Sequence, residues 1–170
     1  MASLIDELIS VLGAENEEYK ELTRISSEKT TVIIKEDLDR LREITAKEQE
    51  HAGTLINLEK KRESVTSDIA LVLNQNPGDL TVKTIINILA GQKEVQARLT
   101  QVHDDLKNTL KRFSMVNDIN KNLIKESLEI IDFNLNFIKG MYQAPEVANY
   151  SRDAMNVSPA LDLGVFDAKQ

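Results

Sequence analysis

The feature that most constrains the fold is the segment between Gly91 and Gly140, which contains no proline and no further glycine. Because those two residues most disfavour a helix interior, nothing in the segment interrupts a helix. Its apolar residues recur in steps of three and four, the pattern of a helix with one apolar face. They are Val95, Leu99, Val102, Leu106, Leu110, Phe113, Val116, Leu123, Ile124, Leu128, Ile131, Leu135 and Ile138. Such a helix is about 70 Å long, so we expect other long helices beside it and part of its apolar face free for a partner.

The composition of the 170 residues favours long helices over a sheet protein or a deep enzyme pocket. Aromatic residues make up 4% of the chain and charged residues 29%, a combination typical of helical proteins. The net charge of −7 argues against nucleic acid as a main partner, because phosphates need a basic surface. The absence of cysteine excludes disulfides and thiolate metal sites. No signal peptide or membrane span is visible, so we expect a soluble cytoplasmic protein.

Two long helices are predicted in the first half of the chain. Residues 3–29 form the first, with Ser3 as a plausible N-cap. The β-branched run at residues 30–34 predicts a connection or a strained helical turn. Asp37 is a good N-cap for the second helix, residues 38–74.

Polar residues interrupt the apolar seam of this second helix at Glu48, His51 and Arg62. Polar layers cost stability but can set the register of packed helices. Glu48 and His51 also have the i, i+3 spacing of carboxylate metal sites in helical bundles, which need two such pairs and two further carboxylates. Since the chain has only one pair, we favour a polar layer over a metal site.

The remaining segments complete an all-α prediction. A turn at residues 74–79 precedes a short helix, residues 81–90, which is apolar nearly all round and is expected to be buried. Residues 141–170 contain two of the three prolines and no sustained helical period, which predicts a mobile tail. Its spaced apolar residues suit either a segment that folds on a partner or an ordinary terminus. The predicted architecture is an elongated antiparallel bundle or coiled coil of three long helices and one short helix (residues 1–140), with a flexible C-terminal tail (residues 141–170).

No group of residues supports catalysis. The chain has no nucleophile-elbow serine and no glycine-rich phosphate loop. The basic run Lys60-Lys61-Arg62 is flanked by Glu59 and Glu63, which indicates a solvated helix face. We expect the protein not to be an enzyme and to have no cofactor.

Several short stretches, in order, carry a resemblance to a known family. They are Leu4-Ile5-x-x-Leu8-Ile9-x-x-Leu12-x-x-Glu15 with Tyr19-x-x-Leu22; Lys29-x-x-x-Ile33-Ile34-Lys35-Glu36-Asp37 with Leu38-x-x-Leu41-x-x-Ile44; Leu58-Glu59-x-x-Arg62; Asn120-x-x-Leu123-Ile124-x-x-Ser127-Leu128; and Phe166-Asp167-Ala168-Lys169. Together they resemble the FlgN family of bacterial flagellar export chaperones. The chain departs from the family at Glu36, where a small residue or glycine is frequent, and after Tyr150, where a glycine is common.

The resemblance implies a chaperone that binds the C-terminal helical regions of the hook–filament junction proteins FlgK and FlgL. Such a chaperone prevents their premature assembly and delivers them to the export gate of the flagellar secretion apparatus. On this basis the predicted partner-binding residues are Asn120, Leu123, Ile124, Ser127, Leu128, Ile131, Leu135 and Ile138 on the last helix, and Tyr150 and Phe166 in the tail. The alternatives are an adaptor for another export substrate, a structural coiled coil that self-associates, and a metalloenzyme of the carboxylate-bundle type.

Overall fold

The computed structural model describes residues 2–143, which form four α-helices and no strand. The helices are α1 (Ala2–Ile34), α2 (Leu38–Leu73), α3 (Val82–Ile88) and α4 (Lys93–Gln143), and short 3₁₀ turns occupy Pro77–Asp79 and Leu89–Gly91. The chain divides into two compact units, Met1–Ile131 and Asp132–Gln170. The all-α prediction is confirmed for the described residues. The predicted mobile tail lies outside them from residue 144 onward.

Helix α1 continues through residues 30–34, where the sequence predicted a connection or a strained turn. Val32 and Ile33 are buried, with 8% and 7% of their surface exposed. Their burial outweighs the small helix penalty of β-branched residues. Ser3 lies inside α1, so its predicted role as N-cap is wrong.

Helix α1 ends in a left-handed residue at Glu36, whose φ is 56°. The Glu36 N–H donates to the carbonyl of Ile33 at 3.0 Å, and the Asp37 N–H donates to that of Val32 at 3.2 Å. This pair of bonds is the Schellman pattern, in which glycine is preferred at the left-handed position. Glu36 therefore stands where glycine would take the left-handed conformation at a lower cost.

The predicted limits of α2 are confirmed to within one residue. The Asp37 carboxylate accepts a hydrogen bond from the Arg40 backbone N–H at 3.0 Å, which is the N-cap interaction expected from the sequence. At the other end, Asn74 has a φ of 53° and forms the second Schellman ending.

Helix α3 is shorter and less buried than predicted. Thr81 caps it, because its hydroxyl accepts from the Thr84 backbone N–H at 3.1 Å. Ile85 and the following Leu89 are buried, but Ile88 is 40% exposed. The expectation of an apolar helix buried on all sides is therefore wrong for one face.

In the first unit, α1 runs antiparallel to α2 and parallel to α4. Residue numbers on α2 rise as those of their α1 partners fall: Glu28 bonds to Arg40, Glu18 to His51 and Glu15 to Arg62. Residue numbers on α4 rise together with those of α1: Asp6 bonds to Arg98, Asn16 to Thr109 and Ser26 to Asn120. The three helices thus run up, down and up, with α2 antiparallel to both α1 and α4.

The core of this unit lies where α1, α2, α3 and the first half of α4 meet. Its buried residues are Ile5, Leu8, Leu12, Val65, Ile69, Ala70, Leu80, Ile85, Leu89, Leu99 and Leu106. A smaller cluster of Ile25, Val32 and Ile44 joins the far end of α1 to the start of α2. Within residues 2–143, no helix combines the length and apolarity that crossing a membrane requires.

Candidate partner-binding surface

Asn120 is the last buried residue of α4 in the described chain. It is 4% exposed. Its Nδ2 donates to the Ser26 carbonyl at 2.7 Å, and its Oδ1 accepts from the Thr30 hydroxyl at 2.6 Å. From Lys121 to Tyr142 every side chain is at least partly exposed. Asn120 therefore marks the end of the packed part of α4.

Four large apolar side chains of the first unit are exposed beyond that point; Ile130, 61% exposed, lies on the opposite side of α4 from the other three. Ile124 is 36% exposed, Leu128 56% and Ile131 52%. We call these three residues the late α4 face. Each of them follows Leu106, Leu110 or Phe113 by 18 residues, which is about five full turns, so both sets lie on the same side of α4.

The late α4 face is uncovered because its covering helix ends. Thr30 of α1 pairs with Asn120, and α1 stops four residues later at Ile34. Because α1 and α4 are parallel, the last turn of α1 reaches only the first turn after Asn120. Leu128 and Ile131 therefore continue the core-facing side of α4 where α1 supplies no residues to cover it.

The second unit begins at Asp132, and its described part, up to Gln143, is helical. The predicted partner-binding residues Leu135 and Ile138 are 48% and 47% exposed there. Phe133 and Phe137, which were not among the predicted partner-binding residues, are 70% and 60% exposed. They lie on another side of the helix from Leu135 and Ile138, so the apolar spacing that predicts one helix face does not include them.

The other predicted partner-binding residues have different surroundings. Leu123 and Ser127 are half-buried, and the Ser127 hydroxyl donates to the Leu123 carbonyl at 2.9 Å. Because the hydrogen bonds of Asn120 go to α1, the structure gives it a packing role, and its part in partner binding stays a sequence prediction. Tyr150 and Phe166 lie outside the described residues.

An apolar groove in the first unit was not predicted. It lies between α2 and α4 above α1, has a volume of about 630 Å³, and we call it the α2–α4 groove. Its apolar lining comprises Leu12, Tyr19 and Leu22 of α1, Ala52, Leu55 and Ile56 of α2, and Leu106, Leu110 and Phe113 of α4, with Val82 near one end. Ile56 is 53% exposed, and its position beside the seam residue Leu55 is the sequence signal that could have indicated the groove.

Aromatic and charged groups define the floor of the groove. The rings of Tyr19 and Phe113 are tilted at 57°, with centroids 5.6 Å apart, an arrangement typical of favourable aromatic pairs. Burial raises the pKa of the Tyr19 phenol above its ordinary value of 10.0, and the nearby Glu15 carboxylate raises it further. Glu15 accepts from Arg62 Nε at 2.9 Å. The floor is thus an uncharged ring beside a closed ion pair.

The polar residues of the α2 seam bind side chains of α1, in keeping with the predicted polar layers. The Glu48 carboxylate accepts from the Ser26 hydroxyl at 3.0 Å and from Lys29 Nζ at 2.7 Å. His51 Nδ1 lies 2.6 Å from Glu18 Oε2. With the Arg62–Glu15 pair they form polar layers between the helices. No group of three or more histidine, aspartate or glutamate side chains in the described ranges could hold a metal ion.

Comparison with known protein families gives a match over most of the chain. A family model described as FlgN protein matches residues 1–158. The match includes all four helices and Tyr150, and it ends before Phe166. No curated protein and no solved structure matches the chain.

Proposed function

Because the chain belongs to the FlgN family of flagellar export chaperones, we propose that it binds the C-terminal helical regions of the hook–filament junction proteins FlgK and FlgL in the cytoplasm. Binding would keep these clients unassembled until they reach the export gate. The observation that carries the proposal is the late α4 face, where apolar side chains continue the core-facing side of α4 without a covering helix.

The contact would be a helix laid along a helix. An amphipathic client helix recognises an apolar stripe through residues at i, i+3, i+4 and i+7, and the spacing from Ile124 to Ile131 fits this register. Fully burying a leucine or isoleucine contributes about 1.5–3 kcal/mol. Since Leu128 and Ile131 are only about half exposed before binding, the burial of each would contribute about 1 kcal/mol to the free energy of binding.

The charges around this face balance. Residues 121–131 carry Lys121, Lys125, Glu126 and Glu129, and Lys125 Nζ lies 3.8 Å from Glu129 Oε1. A surface with no net charge attracts a client mainly by apolar burial. The affinity for a client helix should therefore change little with ionic strength.

The test is the affinity of the full chain for a synthetic C-terminal helical peptide of FlgK or FlgL. The double variant Leu128→Asp, Ile131→Asp should bind at least ~10-fold more weakly, because two carboxylates would enter an apolar contact. Asn122→Asp is the matched control, since Asn122 is exposed on the opposite side of α4. Unchanged affinity in a folded double variant, judged by circular dichroism, overturns the proposal.

Client choice is tested by co-purification. FlgK and FlgL should each be retained by the chain, whereas clients lacking their terminal helices should not. Equal retention of truncated clients would assign the binding site to another part of the client. Retention of neither protein would favour an adaptor for a different export substrate.

Delivery to the export gate is proposed for the tail residues Tyr150 and Phe166 on sequence grounds. Deleting residues 144–170 leaves α4 (Lys93–Gln143) complete. The truncated protein should dock more weakly to the export gate while its urea unfolding curve stays unchanged. Docking equal to that of the full chain would rule out this role.

A further inference from the structure

The α2–α4 groove and the late α4 face are complementary in character and in length. The groove is lined mainly by apolar side chains, with the Arg62–Glu15 ion pair closed at its floor, and the late α4 face is an apolar helix side without a covering helix. The apolar residues on the α4 wall of the groove span eight residues from Leu106 to Phe113, and the late α4 face spans eight from Ile124 to Ile131. Both are therefore about 10 Å long.

One molecule cannot join these two features. Both belong to α4, which is a continuous helix from Lys93 to Gln143. A continuous helix separates residues 110 and 128 by about 27 Å, and nothing between them allows the helix to fold back. The late α4 face can reach a groove of this kind only on another molecule.

We propose that the groove is occupied by the late α4 face of a second copy of this chain, in a two-fold symmetric dimer with antiparallel α4 helices. Leu110 and Ile131 lie at equal distances on either side of the midpoint between Asn120 and Lys121, and so do Phe113 and Leu128. An antiparallel pair centred there brings Ile131 of each copy to Leu110 of the other. The contact is isologous, so it closes at two copies and fills both grooves.

Charges flanking the apolar contact fit the same arrangement. The position halfway between Lys111 and Glu129 is residue 120, half a residue from the centre of the dimer. Both side chains are exposed, and Glu129 Oε1 lies 3.8 Å from Lys125 Nζ of its own helix. In the antiparallel dimer Lys111 of each copy faces Glu129 of the other, and the two-fold symmetry makes this pair twice. In a parallel dimer each charged side chain would instead lie beside the same residue of the other copy, and the two like charges would repel.

Sedimentation velocity of the full chain over a concentration series tests the apolar part of the contact. The expected result is a reversible monomer–dimer equilibrium. Ile56→Asp alters a groove wall and Leu128→Asp alters the inserted face; each should raise the dimer dissociation constant ~10-fold or more. Both side chains are more than half exposed, so the monomer should stay folded. A chain that is monomeric throughout, or a dimer that neither variant weakens, overturns the proposal.

A charge exchange tests the antiparallel register. Lys111→Glu and Glu129→Lys should each weaken the dimer, because each brings two like charges together at both symmetry-related contacts. The combined variant should restore the dimer. Lys93→Glu, at the start of the same helix, is the control and should leave the equilibrium unchanged. If the combined variant dimerises no better than the single ones, the register is wrong and the proposal falls. Larger, open assemblies would also overturn it.

The dimer is inferred from geometry alone, but its competition with a client also rests on the proposed function. Because Leu128 and Ile131 serve both contacts, a FlgK or FlgL C-terminal peptide should convert the dimer into a monomeric complex. If the charge exchange restores the dimer but neither peptide binds, the proposed function fails and the dimer stands. If a peptide binds a chain that never dimerises, the dimer fails and the proposed function stands.

Discussion

Asn120 donates its side-chain amide to the backbone carbonyl of Ser26 at 2.7 Å, and this bond holds α4 to α1 at the last buried position of α4. Thr30 donates to the same side chain from one turn further along α1. A single amide thus satisfies a donor and an acceptor between two parallel helices. Before it, α4 is part of the core; after it, the same side of α4 is exposed.

Replacing Asn120 should measurably weaken this junction. Asn120→Ala removes both hydrogen bonds to α1, and we expect the free energy of unfolding to fall by about 1–3 kcal/mol. Urea denaturation measures the change. Asn122→Ala, two residues on at an exposed position, should change stability by less than about 0.5 kcal/mol. Equal effects of the two variants would show that the junction contributes nothing.

Removing Arg62 should destabilise the fold because Glu15 is left buried without its partner. The Glu15 side chain is 7% exposed and that of Arg62 32%, so we expect Arg62→Leu to cost about 2–4 kcal/mol by urea denaturation. Adding Glu15→Leu should recover much of the loss, since an apolar pair replaces the ion pair. As a control, the Arg98–Asp6 pair at 3.0 Å is about half exposed, and Arg98→Leu should cost less than about 1 kcal/mol. A double variant no more stable than Arg62→Leu would contradict this account.

Leucines on the two halves of α4 should differ in their effect on stability. Leu99 is fully buried, and Leu99→Ala should cost about 2–5 kcal/mol. Leu128 is 56% exposed, and Leu128→Ala should cost less than about 1 kcal/mol. Thermal or urea unfolding, with both variants measured below the dimer dissociation constant, makes the comparison. A large cost at Leu128 in the monomer would mean that this face belongs to the core.

The ion pair between Glu28 and Arg40 should make stability depend on acid pH. The Arg40 guanidinium donates to the Glu28 carboxylate and holds the pKa of that carboxyl below its ordinary value of 4.5. A lowered native pKa stabilises the fold above the unfolded pKa, and this contribution is lost as the pH falls through the native pKa. The stability lost in Glu28→Gln should therefore be present at neutral pH and shrink below about pH 4.5. Glu63→Gln, at an exposed residue, is the control and should show no such pH dependence. A stability loss in Glu28→Gln that grows toward acid pH would contradict the predicted direction.

Glycine at position 36 should stabilise the protein. Glu36 has a φ of 56°, and a left-handed conformation costs a non-glycine residue about 1–2 kcal/mol. Glycine removes that cost but loses about 0.5–1 kcal/mol through the greater freedom of the unfolded chain. Urea denaturation of Glu36→Gly should show a net gain of about 0.5–1 kcal/mol. The same change at Lys35, whose φ is negative, should destabilise instead, and a loss at both positions would contradict the explanation.

Local signals in the sequence were sufficient for helix type and for most helix ends. The Asp37 cap and the ending of α2 near Asn74 depend on a few neighbouring residues, so they can be predicted from spacing and residue type. The run at residues 30–34 was misjudged because its helix depends on the burial of Val32 and Ile33, which no local window contains. The α2–α4 groove was missed for the same reason, since its walls come from helices about fifty residues apart in the chain.

The sequence alone determined that α4 is a long helix with one continuous apolar side, because a three-and-four spacing of apolar residues defines a helix face wherever the helix lies. It also carried the FlgN signature. Only the tertiary structure decided which part of that side is core and which part is free. That division follows from the parallel register of α1 and α4, in which Thr30 meets Asn120 and α1 ends four residues later. A register between helices depends on contacts across the fold, so the periodicity of one helix cannot contain it.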